Sequence, residues 1–261
     1  MIDSKTSPFN ITADPEFFFE SSSHKETLAS VLYAIDRKKG IVLITGEVGT
    51  GKTTLCKIFL KRLHPSVKTS LILNPYFSEV QLLKAIVEDF GIEIARKSRL
   101  DIVNKLNSFL IENSLKGGNA VLIVDEAQNL TLRQLEQLRL LSNLETSKEK
   151  LLQIVLVGQP ELEDKLSSFS LRQFRQRIFV RCKITPLKRE EIKDYIEFRL
   201  KKAGENKIKI LPNSFDLIYE FSCGIPRLIN ILCERALLCG FVREKKVLGE
   251  EIFKACIEEL K

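Results

Sequence analysis

Long apolar runs are missing from this sequence: its most hydrophobic stretches, around Leu122 to Val124 and Ile154 to Val157, are strand-sized and far short of the ~20 residues needed to span a bilayer. The opening residues, MIDSKTSPFN, contain no hydrophobic signal region either, so a soluble, cytoplasmic chain is expected. Six cysteines, at positions 56, 182, 223, 233, 239 and 256, include no CxxC pair, and only two histidines could help them hold a metal. Reduced thiols fit that usage better than disulfides. No repeat or low-complexity tract interrupts the chain, and no helix-turn-helix or RNA-binding signature is recognisable.

What is present begins with length. At 261 residues the chain can bury a proper core, as one large domain or as a main domain with a small second one. Its 41 lysines and arginines against 34 acidic residues give a net charge of +7. The excess is concentrated: from Lys165 to Lys209 there are 14 basic residues against 5 acidic ones, and the remainder is near neutral. Such a block attracts phosphates, nucleic acid or an acidic partner, or it is simply a solvated face.

The most informative stretch is IVLITGEVGTGKTTL, from Ile41 to Leu55. The pattern GxxxxGK[ST] is filled by Gly46, Gly51, Lys52 and Thr53, after an apolar strand and before an amphipathic segment, which is the context a phosphate loop requires. The glycines permit positive φ, so that backbone N–H groups and a helix N-terminus face a phosphate together. The expected cradle is Gly46, Glu47, Val48, Gly49, Thr50, Gly51, Lys52, Thr53 and Thr54. Lys52 would neutralise β/γ charge and Thr53 would bind Mg²⁺.

Around that stretch strands and helices alternate. Ser23 with Glu26 reads as a capping box for a helix to about Lys38, and Gly40 releases the chain into the first strand. Strands are expected at Thr69 to Leu73, Ala120 to Val124, Leu151 to Val157 and Ile178 to Ile184. Ser78 with Gln81 and Thr131 with Gln134 cap helices, and a further helix runs from about Arg99 to Leu115. This is the pattern of a parallel α/β sheet. From Leu187 onward the strand signal vanishes and helices follow at Arg189 to Ala203, Pro212 to Ser222, Pro226 to Arg243 and Glu250 to Leu260. The expected division is an α/β core at 1–186, opened by an irregular proline-punctuated arm, and an all-helical lid at 187–261.

Asp125 and Glu126 follow the strand Ala120 to Val124 at its C-terminal end, where ligands bind in an open α/β sheet. Asp125 can hold Mg²⁺ through water, and Glu126 is placed to polarise an attacking water. Gln159, ending the next strand, is a candidate for holding that water or sensing the γ-phosphate, and Asn74 for restraining Glu126. Arg177 is the first choice for an arginine supplied in trans to a neighbouring subunit, with Arg172 and Arg175 in reserve. Arg227, in Gly224-Ile225-Pro226-Arg227, could reach the γ-phosphate from the second domain.

Taken together, these motifs resemble the AAA+ ATPases, and within them the general secretion pathway protein A (ExeA-type) and exosortase-associated secretion ATPases. The resemblance covers nearly the whole chain and rests on PFN…ADPEFFF, GEVGTGKTTL, VDEAQNL with LRLLSNLET, LLQIVLVGQPEL, LRQFRQRI and GIPRLINILCERAL. It implies a P-loop AAA+ core with Lys52 and Thr53 as Walker A, Asp125 and Glu126 as Walker B, Gln159 near sensor 1, Arg177 near the arginine finger and Arg227 as sensor 2. It also implies that Phe9, His24 and Tyr33 lie by the adenine. ATP and Mg²⁺ are the expected cofactors, bound between core and lid. A homo-oligomer and a secretion or envelope assembly protein are the expected partners. A nucleotide-gated DNA-binding adaptor is the alternative. Longer members of that group continue into a membrane helix and a peptidoglycan-binding region that this sequence does not contain, so direct wall binding is not expected of it.

Overall fold

A computed structural model describes residues 7–94, 98–147, 149–205 and 207–260. In chain order the helices and strands are α1 (Ser22–Asp36), β1 (Ile41–Gly46), α2 (Lys52–Arg62), β2 (Lys68–Ile72), α3 (Glu79–Asp89), α4 (Arg99–Leu115), β3 (Ala120–Val124), α5 (Leu132–Leu141), β4 (Gln153–Gly158), α6 (Glu161–Ser167), α7 (Arg172–Arg175) and β5 (Ile178–Ile184). They continue as α8 (Glu191–Lys202), β6 (Lys209–Ile210), α9 (Ser214–Ser222), α10 (Pro226–Val242), β7 (Val247–Leu248) and α11 (Glu250–Leu260).

The chain divides into two compact units. One comprises Lys25–Gly46 and Cys56–Ile184. Its five strands are all parallel, in the order β2-β3-β4-β1-β5. Every residue of β1, β3 and β4 is buried, which explains their unbroken apolar runs: a central parallel strand is covered on both faces by helices. Ile41 and Leu43 of β1 stand opposite Ile154 and Leu156 of β4, and with Leu122 and Val124 they join the core completed by Leu82, Ile86, Leu106 and Leu138. At the sheet edge, β5 instead alternates, with Phe179, Arg181 and Lys183 exposed. Because the strands are parallel, β1, β3 and β4 end along one edge of the sheet, where Asp125, Glu126 and Gln159 follow β3 and β4.

The helix starts follow local chemistry. Ser78 with Gln81 and Thr131 with Gln134 form complete capping boxes, and Ser98 caps α4 by accepting the Asp101 N–H. The cap expected from Ser23 and Glu26 is replaced. Ser21 accepts the His24 N–H at 3.3 Å, the Glu191 carboxylate takes the Ser22 N–H at 2.9 Å, and the Ser23 hydroxyl accepts the Thr185 N–H at 3.1 Å. Long-range partners thus took over the local pattern.

The second unit comprises the segment up to His24, Glu47–Leu55 and the segment from Thr185 onward. Its core joins Phe9 of the arm to Ile192, Ile196, Ile218, Leu232 and Phe253 of the C-terminal helices. Arg199, only 7% exposed, pins the arm: its guanidinium donates to the Pro8 carbonyl at 2.7 Å and the Asn10 carbonyl at 2.9 Å, and lies over the Phe17 and Tyr195 rings. A buried guanidinium is tolerated where its donors are satisfied. Phe9, with 1% exposure, is a core residue here and not a candidate for an adenine contact. The helices are joined by a parallel pair, β6 with β7, two residues each and too short to leave an alternation in the sequence. Among the described residues no helix is long and apolar enough to cross a membrane.

Between α9 and α10 the chain turns through Cys223 (φ 48°) and Gly224 (φ 75°). The Gly224 carbonyl accepts the Leu187 N–H at 2.8 Å, and a Cβ on Gly224 would overlap the Leu187 carbonyl. Left-handed backbone and backbone contact together require glycine. Gly224→Ala is therefore expected to cost about 2–4 kcal/mol, read as a lowered denaturation midpoint with unchanged denaturant dependence. A variant as stable as the parent would show that the turn relaxes freely.

Candidate functional site

The loop Glu47–Gly51 connects β1 to α2, and its turn is built on one carbonyl. The Glu47 oxygen accepts from the Thr50 N–H at 3.3 Å, the Thr50 hydroxyl at 2.8 Å and the Lys52 ammonium at 2.8 Å. Lys52 is only 6% exposed, so its charge is directed into the loop. Positive φ occurs at Gly49 (83°) and Gly51 (93°). Gly46 differs from expectation: it is the last residue of β1, buried and in register with Ile184, and supplies no positive φ. Gly49, outside the fixed positions of the motif, takes that role. Val48 is 48% exposed.

Two more contacts hold the loop from outside. The Gly49 carbonyl accepts the Arg227 N–H at 3.2 Å, and a Cβ on Gly49 would come within 2.7 Å of the Arg227 Cβ. The start of α10 thus abuts the loop, leaving the Arg227 side chain exposed. On the other side, His24 Nε2 lies 3.0 Å from the Thr50 carbonyl, and its Nδ1 lies 2.7 Å from the Ser21 hydroxyl. A carbonyl only accepts, so Nε2 carries the proton and Nδ1 accepts from Ser21. Burial lowers the His24 pKa, the Thr50 hydrogen bond opposing it, and the Phe18 ring meets the imidazole edge to face at 4.9 Å.

The other unit holds the acidic residues. The Asp125 N–H donates to the Ile72 carbonyl at 2.8 Å, and buried Asp125 accepts the Glu126 N–H on Oδ1 at 2.9 Å. Glu126 then adopts left-handed backbone (φ 51°, ψ 37°) before the 3₁₀ turn Ala127–Asn129. For a non-glycine residue this conformation costs on the order of 1–3 kcal/mol and persists where the surroundings over-determine it. Here two glutamine amides do so: Glu126 Oε2 accepts from Gln128 Nε2 at 2.5 Å and from Gln159 Nε2 at 3.3 Å. Gln128 Oε1 in turn accepts the Gln159 N–H at 3.1 Å, clamping the turn to the end of β4. Gly158 makes room, since a Cβ there would lie 3.0 Å from Gln128 Oε1 and 2.8 Å from Leu162. Lys165 donates to the carbonyls of Gln128 and Leu130, so part of the basic block is structural.

The expected residues therefore gather in two sets. Lys52, Thr53, Thr54 and Arg227 belong to one unit, and Asp125, Glu126, Gln159 and Arg177 to the other. Asn74 is exposed, two residues past the end of β2, and the restraint on Glu126 falls to Gln128 instead. Gln128 had a signal, two residues after Glu126 in VDEAQNL, but its second partner comes from another strand. Of the three arginines, Arg175 donates to the Ser167 carbonyl and Arg172 stacks on exposed Phe169 at 4.8 Å. Arg177, half-buried before β5, adds a small pull to the lowered pKa values of Glu136 and Glu145, which are set mainly by Arg139 and Lys150. Tyr33 is 56% exposed, with Arg37 over its ring.

These residues fit a nucleotide. Glycine-permitted turns, a buried lysine and the N-terminus of α2, eleven residues long, suit phosphate oxygens. No cluster of three or more metal-ligating side chains exists among the described residues.

Comparison with known proteins agrees. Residues 35–166 match the model of the AAA domain family. The chain is 41% identical over 253 residues to General secretion pathway protein A of Aeromonas hydrophila, covering 96% of this chain and 46% of that protein, so it spans less than half of its relative's length. In fold it is similar to the ADP form of Aeropyrum pernix ORC2 (TM-score 0.71, 18% identity, 97% of this chain and 72% of that one). It is also similar to the Thermotoga maritima RuvB branch migration motor (TM-score 0.60, 20% identity, 91% and 68%).

The His24 contact carries a pH signature. Its folded pKa lies below the ordinary 6.5, so between those values the unfolded chain binds more protons and stability falls as pH falls. Above pH 6.5 the contribution is constant. Wild type should therefore lose part of its stability advantage over His24→Gln as the pH is lowered below 6.5, measured by denaturant unfolding. Parallel curves for the two proteins would place the imidazole in water.

Proposed function

Since the chain belongs to the AAA domain family, we propose that it binds Mg²⁺-ATP and hydrolyses it to ADP and phosphate. In this reading the nucleotide-binding part is 1–186 and the helical lid 187–261, with the arm up to His24 and the loop Glu47–Leu55 grouped with the C-terminal helices. The observation that carries hydrolysis is Glu126: a carboxylate held in strained backbone by two amides, following the buried Asp125 on the ligand-binding edge of a parallel sheet.

Bound ATP supplies the γ-phosphoryl group and Mg²⁺ neutralises charge on its oxygens. The roles of this chain's residues follow from their chemistry. Backbone N–H groups of Gly46 to Thr54 and the Lys52 ammonium bind the phosphates, and Thr53 and Asp125 hold Mg²⁺. Glu126 orients and polarises the attacking water. Gln128 and Gln159 hold the carboxylate in place. Gln159 and Arg227 respond to the γ-phosphate, and Arg177 serves a neighbouring subunit, so turnover depends on homo-oligomer assembly. The likeness to General secretion pathway protein A supports work on assembly of a secretion or cell-surface system from the cytoplasm.

Glu126→Gln is expected to lower kcat by about 10²–10⁴-fold while leaving nucleotide affinity within a few-fold of wild type, measured by steady-state turnover and equilibrium binding. Unchanged turnover would remove Glu126 from the chemistry. Arg177→Ala should abolish the rise of specific activity with protein concentration. If it turns over normally at high concentration, Arg177 is not the finger. Stimulation of wild type by duplex DNA at low salt would favour the DNA-adaptor alternative.

A further inference from the structure

Two thiols remote from the phosphate loop meet across the last two helices. In α10, Cys239 stands four residues after Arg235, and in α11, Cys256 stands three residues before Glu259, so each cysteine shares a helix face with a charged residue one turn away. Those charges are paired: Arg235 Nε and Nη2 donate to one Glu259 carboxylate oxygen at 2.9 and 2.6 Å. Seven residues join the two helices, which therefore run antiparallel. One turn from the ion pair towards that connection, on both helices, Cys239 and Cys256 come to the same level. There the two side chains are in hydrogen-bonding contact. Glu259 raises the Arg235 pKa, and both thiols add to it, as neighbours of one guanidinium should.

The two thiols differ in access. Cys256 is 2% exposed in the core of the helical unit, and Cys239 is partly exposed at its margin. Among the described residues no further ligand joins them into a metal cluster, so they are a dithiol alone. We infer that Cys239 and Cys256 form a redox-reversible disulfide, closed by exchange with a small disulfide of the glutathione class. Cys239, as thiolate, attacks one sulfur of glutathione disulfide, and a mixed disulfide forms as one glutathione leaves. Cys256 then gives up its proton, its sulfur attacks that of Cys239, and the second glutathione leaves. Two thiol hydrogens and two electrons have passed to glutathione disulfide, which becomes two molecules of glutathione. Burial pushes the Cys256 thiol up to about 11, so closure relies on adjacency and quickens as pH rises. The bridge ties α11 to α10, the helix whose first turn donates the Arg227 N–H to Gly49. The inference does not depend on the catalytic reading.

The test treats the folded full chain with about millimolar glutathione disulfide at mildly alkaline pH, quenches with acid, alkylates the remaining thiols and digests with trypsin without reduction. Tryptic peptides 236–243 and 255–261 are expected joined, two hydrogens lighter than their sum, and separate again after dithiothreitol. The oxidised chain should also melt several degrees higher than the reduced one, because the bridge constrains the unfolded chain. Cys239→Ser, treated identically, should show no such gain. Glutathione retained on Cys239 without joining would overturn the inference. So would both peptides recovered fully alkylated when exposed Cys223 has reacted, or joined only after treatment in denaturant. A lower melting midpoint for the joined chain would mean that the bridge forms against the helix packing, and the inference fails.

Discussion

Two carbonyl oxygens of the phosphate loop, those of Gly49 and Thr50, are each taken by a donor distant in sequence, and most of what distinguishes this chain depends on that arrangement. A glycine-rich loop on its own has many accessible conformations. Here the Arg227 N–H and the His24 imidazole hold it from two sides, while Glu47 gathers three donors within it. The holding groups are themselves fixed. His24 is oriented by Ser21, α10 is set by the Gly224–Leu187 contact, and the arm is bound to the C-terminal helices by Arg199. A loop preorganised in this way loses less entropy on meeting an anion.

The acidic end follows a different logic. The phosphate loop is ordered by backbone contacts, whereas Glu126 is ordered by side chains, with Gln128 touching both the carboxylate and the end of β4. That clamp couples the strand carrying Gln159 to the orientation of Glu126, so a displacement at one must be felt at the other. Gly158 and Lys165 support it without touching the carboxylate, one by leaving space and the other by bonding the turn's carbonyls.

Much of this was legible in the sequence wherever the determinant was local. The boundaries of β3, β5, α4 and α11 and the two capping boxes follow from residues within a few positions of each other, and they fold as they read. Legibility failed where a distant group supplied the partner. Ser23 and Glu26 fit a capping box, yet Ser21 and Glu191 satisfy that helix start. Asn74 sits in a sensible place for restraining Glu126, but the glutamines nearer the carboxylate do so. Phe9 lies in the PFN stretch, where the resemblance implied a place by the adenine, and is consumed by the core of the helical unit. The Gln137 amide, buried without a hydrogen-bond partner among the described residues, leaves no trace in sequence, since Gln134 three residues earlier in α5 looks the same and donates to the Phe77 carbonyl.

The thiols provide a practical handle. Burial raises the pKa of Cys233, and pushes that of Cys256 up to about 11, so neither presents much thiolate near neutral pH. Cys56 is buried, Cys182 and Cys239 are partly covered, and Cys223 alone is exposed. It stands in the left-handed turn three residues before Pro226, where α10 approaches the phosphate loop. A maleimide dye would therefore attach preferentially at one native position, close to the backbone contact between Arg227 and Gly49. The unmodified polypeptide thus carries its own attachment point for an optical reporter of nucleotide occupancy.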